Sequence, residues 1–438
     1  MSKQNLIVII VVIISLVTGG LFGFYFYLSH KNGEAISRGI PTSNGFFNIG
    51  STQTPPTPNP SEVTDTATTT ETVAATVPRP IPQLRHLTLA PVAGSAFISK
   101  DILAVNTSTV GTSTKAASKV IGSVEVIRWV DRTTGKIYET SSSTLEVTRI
   151  SNTTIPKIYE ASFVDKKGQG IVFRDIFEGT DVIRTRYGLM RNESSTSSEQ
   201  LINMTDLDNN ITQLAISPAG ESLFSILPTD TRGVLSRPDG SNKTNIFESP
   251  FHEWLVSWPS LRSIVLNTKP SGTTEGFAYL LDPQTRSITK LVGDIKGLTT
   301  LLSPDGTKLL IGESIPGTTE IHVLDRKTGE KKNLGIRTFP EKCVWSKKEV
   351  SSIYCAVPEN IQYDIYPDAW YMGRISFSDS IWKINTETGE SRLLAQPIYI
   401  VGQSIDILNL SLNSAEEFLL FQDKNDLSLW SYQLEASI

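Results

Sequence analysis

The sequence has few of the residues that usually carry chemistry. Four histidines and two cysteines are spread over 438 residues. Two cysteines cannot complete a four-ligand zinc site, and no histidine cluster is present to help them. There is no G-x-S-x-G elbow, no H-E-x-x-H, no P-loop and no G-x-G-x-x-G turn. The familiar signatures of acyl transfer, zinc hydrolysis and nucleotide binding are therefore missing. A basic field is missing too. The net charge is −5, and the densest basic run, RKTGEKK at 326–332, reads as a solvated turn rather than a nucleic-acid patch. TDLDNN at 205–210 opens like a calcium loop, but Ile211 stands where that loop needs glycine and Ser217 where it needs glutamate. No cofactor, metal or nucleic acid is expected.

Charge is also absent from residues 6–28, LIVIIVVIISLVTGGLFGFYFYL. At 1.5 Å per residue this run spans roughly 34 Å, enough for a bilayer core of about 30 Å. It is longer than the apolar core of a cleaved signal, and FYFYLSHKN offers no small-x-small site. A single-pass signal-anchor is expected at 6–28 after a short tail at 1–5. Tyr25 and Tyr27 suit the outer interface. Residues 29–82 follow as a linker. Serine, threonine and proline make up 19 of the 32 residues in 51–82, so the segment cannot bury a core. Such a spacer suits a domain held off a membrane, which places the remaining chain, 83–438, outside the cytoplasm.

That remainder is repetitive. LLSPDGTKLLIGE at 301–313 sets two apolar runs around a Pro-Asp-Gly turn, a hairpin signature. Related hairpins start at Phe163, Ile216, Trp258, Trp345 and Leu412. From 216 to 345 the interval is about 43 residues, the length of a four-stranded propeller blade. Longer gaps hold two insertions, 192–200 and 360–380. After the hairpins comes a second, more polar pair of strands around a Thr-Gly-type turn, as in YLLDPQTRSITKLVG (279–293), IHVLDRKTGEKKNLG (321–335) and IWKINTETGESRLLA (381–395).

The pattern LLSPDGTKLLIGE…IHVLDRKTGE resembles the TolB-type, WD-like β-propeller repeat. The resemblance covers roughly 84–438 and implies an all-β propeller, with no activity attached. The chain departs from the family's better-known members. It has linker where TolB has a folded domain, no room for the hydrolase domain of prolyl peptidases, and no Gly-His/Trp-Asp pairing. Six regular hairpins plus a looser one at 90–99 give seven four-stranded blades, with six or eight as alternatives. LSLWSYQL (427–434) looks like a third strand with no fourth, and QLRHLTL (83–89) like a fourth strand with no blade. Pairing them would close the ring and remove two open edges.

Cys343 and Cys355 lie six residues either side of Glu349, so they face each other across a hairpin. Outside the cytoplasm a disulfide is expected there, against the alternative of two reduced buried thiols. The insertion NIQYDIYPDAWYMGRISFSDS (360–380) joins the second and third strands of a blade, beside the channel. Tyr363, Asp364, Tyr366, Asp368, Trp370, Tyr371 and Arg374 are the candidate binding residues, for an envelope protein or glycan. The other reading is that these aromatics cap the blade's own core. Trp258, Trp345, Trp382 and Trp430 are expected inside blades. The expected function is a binding or scaffold module of a cell envelope, not an enzyme. The alternative is a propeller-type glycosidase or lyase with carboxylates converging at the channel mouth.

Overall fold

Short turns with fixed chemistry organise the chain. The computed structural model describes residues 81–103, 120–142, 144–191, 201–228 and 230–434. The apolar run 6–28, linker residues 29–80 and the insertion 192–200 lie outside the described residues. Among the described residues no helix is long and apolar enough to cross a membrane.

Among the described residues, 28 strands form seven four-stranded antiparallel sheets. Blade 1 contains Val92–Leu103, Val120–Asp131, Ile137–Ser141 and Val147–Arg149 (β2–β5). Blade 2 contains Ile158–Phe163, Gly170–Ile176, Ile183–Arg191 and Leu201–Asp206 (β6–β9). Blade 3 contains Gln213–Ile216, Leu223–Ile226, Arg232–Ser236 and Thr244–Glu248 (β10–β13). Blade 4 contains Trp254–Ser260, Ser263–Thr268, Glu275–Leu281 and Ile288–Lys296 (β14–β17). Blade 5 contains Thr299–Leu302, Lys308–Ile315, Thr318–Asp325 and Lys331–Asn333 (β18–β21). Blade 6 contains Cys343–Trp345, Ser352–Pro358, Asp379–Asn385 and Ser391–Ala395 (β22–β25). Blade 7 takes Ile407–Leu412, Phe418–Asp423 and Leu429–Gln433 (β26–β28) from one end of the domain and Leu84–Thr88 (β1) from the other. The seven-bladed propeller and its closure therefore follow the repeat seen in the sequence.

The turns explain the hairpins. Ser303 Oγ donates to Asp305 (2.6 Å) and accepts from the Lys308 amide (2.9 Å), while Gly306 takes φ 74°. This sets Leu302 opposite Leu309 and Leu301 opposite Leu310, with Leu309, Leu310 and Ile311 buried. The outer turns use a second device. Asp325 Oδ1 accepts the amides of Lys327 and Thr328, and Asn385 does the same for Glu387 and Thr388. Side-chain oxygens that cap local amides hold the turn without tertiary help.

Apolar side chains pack between neighbouring blades. Phe224 and Ile226 of blade 3 meet Trp254, Trp258 and Ile264 of blade 4. Trp258, Trp345 and Trp430 are buried and Trp382 is half-buried, as core positions require. Closure pairs Leu84 with Tyr432 and His86 with Trp430, whose rings stack at 3.9 Å. Burial lowers the His86 pKa. Gln422 Nε2 donates to the Val92 carbonyl (2.9 Å), tying blade 7 to blade 1. Cys343 and Cys355 are opposite partners on β22 and β23, and their sulfurs are bonded.

Candidate functional site

In each blade the strand 2–3 connection and the link to the next blade emerge on the same face. The largest described connection on that face is 359–378, between β23 and β24. It contains one short helix, Asp368–Tyr371, closed by Ala369 N–H to Ile365 O and Met372 N–H to Asp368 O.

The underside of this insertion is core. Tyr366, Trp370 and Phe377 bury themselves with Phe339, and Phe339 stacks on Trp370 at 5.3 Å. Beneath them lies Lys342, from the turn Pro340–Lys342 that precedes β22. It is fully buried, as are its two partners: Nζ is 2.7 Å from Asp379 and 2.6 Å from Asp406. The ammonium also sits 4.9 Å from the Trp370 ring and 5.2 Å from Phe377. Trp370 Nε1 donates to Asp406 (2.9 Å), and so do the Phe377 amide and Ser376 hydroxyl. Asp379 accepts the Ile407 amide at 2.6 Å. Two buried carboxylates share one ammonium. Burial, opposed by Lys342 and reinforced by Asp406, pushes Asp379 up to about 6.

The insertion also reaches across other blades. Asp368 accepts from Ser271 Oγ (3.0 Å) and the Gly272 amide (2.6 Å) in blade 4. A Cβ on Gly272 would come within 2.5 Å of the Tyr366 carbonyl, so only glycine allows this approach. The Tyr363 ring covers Gly317 of blade 5, whose φ is 77°. Asp364 and Arg374 pair with each other at 3.1 Å within the insertion.

The candidate residues thus divide. Tyr363 is 85% exposed and Tyr371 is 36% exposed. Tyr366 and Trp370 are buried, which corrects the expectation of an aromatic surface at those two positions. Asp368 is an anchor to blade 4. The insertion is not a free appendage, because its underside completes the packing of Lys342 and Asp406. Sequence reasoning missed other exposed apolar residues of this face, namely Ile365, Met372, Tyr399 and Ile400. It also missed the buried ionic group. Nothing in PEKCVW marks Lys342 as buried. An aspartate opening each of the apolar runs DSIWKI and DILNL was the one available signal.

A cavity of about 280 Å³ lies on the propeller axis. Gln213, Ser257, Thr300 and Glu341 come to it from four successive blades or their leading turns, which can meet only where inner strands converge. Among the described residues, Glu341 is the one ionisable residue in its lining. The Tyr371 hydroxyl reaches down from the insertion and donates to Glu341 Oε1. Burial raises the pKa of both groups.

No family model and no curated protein matches this chain. Solved structures do, at low identity. The tricorn protease is similar with a TM-score of 0.46 and 10% identity, over 70% of this chain and 32% of that one. TolB from Acinetobacter baumannii gives 0.38 and 11%, over 58% of each chain. The Pan2 WD40 domain of Neurospora crassa gives 0.46 and 10%, over 80% of this chain and 90% of that one. This chain therefore spans about a third of tricorn and little more than half of TolB. The likeness is one of fold.

Proposed function

We propose that the protein is a membrane-anchored, extracytoplasmic binding or scaffold module of a cell envelope, with the insertion-bearing face as its docking surface. The observation that carries this is the two-sided insertion. Its underside is fixed by buried aromatics and the Lys342–Asp379–Asp406 group, and its outer side presents Tyr363, Ile365 and Met372 to solvent. A rigid support with exposed aromatic and methionine side chains is what a preorganised interface needs. Tyr399 and Ile400, on the link from blade 6 to blade 7, extend apolar character on the same face. That character favours a protein partner over a glycan. The enzyme reading has less support, because among the described residues the axial cavity is lined by one carboxylate and no histidine, lysine or arginine to form an acid–base pair with it. The uncharged run 6–28 and the linker after it are what support the location.

The test uses the full chain in its native membrane. Partners crosslinked to wild type are compared with those of Tyr363→Ser/Met372→Ser/Tyr399→Ser, whose melting should be unchanged because all three residues are exposed. A partner captured by wild type and lost by the variant supports the docking face, and identical capture overturns it. For the anchor, protease added outside intact cells or spheroplasts should release a fragment starting within 41–83. A mature N-terminus near residue 29 would show a cleaved signal instead.

A further inference from the structure

We infer that the axial cavity beneath the insertion is a site for one primary ammonium group, presented by a lysine side chain or by a small free amine. The inference deepens the binding reading and rests on it only in placing the ligand face on the insertion side.

Charge gives the first argument. Glu341 brings a carboxylate into a space whose other lining residues are neutral. The nearest ammonium in sequence, Lys342, is committed to Asp379 and Asp406. The described lining of the cavity has no cationic side chain, so an ionised Glu341 is matched there by a monovalent cation.

Hydrogen-bond geometry gives the second. Tyr371 occupies Glu341 Oε1, leaving Oε2 with no partner among the described residues. Gln213 and Ser257, which also line the cavity, make no side-chain hydrogen bond among the described residues, and each side chain carries an acceptor oxygen. An ammonium has three donors and no acceptor, which suits three separate oxygens. A guanidinium prefers two carboxylate oxygens side by side, and one of the pair is taken. A divalent metal would need more anionic ligands, and among the described residues no group of three or more His, Cys, Asp or Glu is placed to hold a metal.

Shape gives the third. Leu255, Val256 and Leu301 line the same space, so a methylene stem would lie on apolar surface while its head meets Glu341. The volume of about 280 Å³ accommodates a butylammonium chain. Burial raises the Glu341 pKa, and a bound ammonium would draw it back down. Binding should therefore weaken as pH falls and Glu341 takes up a proton.

Calorimetry on the full chain in detergent tests the site with four probes: Nα-acetyl-lysine methylamide, n-butylamine, the Nε-acetylated lysine amide and Nα-acetyl-arginine methylamide. One or both amines should bind, and the acetylated and arginine probes should bind at least about ten-fold more weakly, as loss of a charge-assisted hydrogen bond implies. Preference for the lysine amide over butylamine assigns the site to a protein lysine, and the reverse preference to a small amine. Glu341→Gln should weaken amine binding at least about ten-fold at an unchanged melting temperature. Should that variant fail to fold, the wild-type pH series decides, since affinity must fall on acidification. The proposal is overturned by equal binding of the acetylated or arginine probe, by amine binding that survives Glu341→Gln, by a flat pH series, or by no saturable amine binding at millimolar concentration. Tyr363→Ser/Met372→Ser/Tyr399→Ser should keep amine binding, so failure of the outer docking face and failure of this site give different results.

Discussion

Blade 5 and the insertion of blade 6 are neighbours held by different kinds of interaction. In blade 5 the stabilising groups are close in sequence. Ser303 and Asp305 hold one turn, Asp325 holds the other, and Leu309 to Ile311 fill the core between ladders. In the insertion, partners are remote. Asp368 bonds Ser271 across 97 residues, and Lys342 bonds Asp406 across 64. In blade 5 the outer turn keeps Asp325, Lys327 and Thr328 within reach of water. The insertion covers three charged side chains, Lys342, Asp379 and Asp406, from water. A blade can therefore be altered piecemeal, whereas the insertion and its ionic support stand or fall together.

The most severe break should come from Lys342→Met. It strands Asp379 and Asp406 without a counterion, at a cost of about 3–5 kcal/mol. Denaturant midpoints measure it, and adding Asp379→Asn and Asp406→Asn should recover most of the loss. If the single substitution costs under about 1 kcal/mol, the ionic group is not what holds the insertion. Next is the closing strand. Leu84→Ala removes a buried side chain from β1 and should cost about 2–4 kcal/mol. Because β1 has one neighbour, native-state hydrogen exchange should show blade 7 opening ahead of blades 3 to 5.

Asp379 sharpens the comparison through pH. Its folded pKa lies above the unfolded value, so its contribution to stability is complete below about pH 4 and is lost as pH rises through 6. Relative to Asp379→Asn, wild type should lose at most about 3 kcal/mol between pH 4 and 7. A pH-independent difference would mean that Lys342 cancels the burial effect. The Cys343–Cys355 bond closes a short hairpin, so Cys343→Ser/Cys355→Ser should cost about 2–3 kcal/mol. Alkylation of unfolded, unreduced protein checks the bond itself, since quantitative labelling of both thiols would exclude it. The smallest effect belongs to blade 5. Gly306→Ala forces a side chain into positive φ at an open turn and should cost about 1 kcal/mol, without reaching the insertion.

The same contrast explains what the sequence could reveal. Pro304, Asp305 and Gly306 announce their turn because the physics of that turn is contained in four residues. The strand tryptophans announce the core because they sit in phase with the repeat. The closing pair, β1 with β28, was legible as a missing strand at each end of the domain. For Tyr366 and Trp370 the sequence left two readings open, binding surface or core cap, and the structure takes the second. A loop aromatic is covered or exposed according to what another blade puts beneath it, and here that is Phe339 and Lys342. Lys342 itself has the composition of a surface residue, and its burial depends on two aspartates that arrive only when blades 6 and 7 are assembled.

The closing strand has a mechanical consequence. Gln83 and Tyr432 are hydrogen-bonded at a sequence separation of 349, so both ends of the folded ring meet on one outer edge. A pull on the chain that precedes Leu84 is borne first by the few rungs joining β1 to β28, before any other blade is loaded. Those rungs act as a fuse. Tension would peel one strand and open blade 7 while blades 3 to 5 keep their ladders, and β1 could re-pair when the load is released.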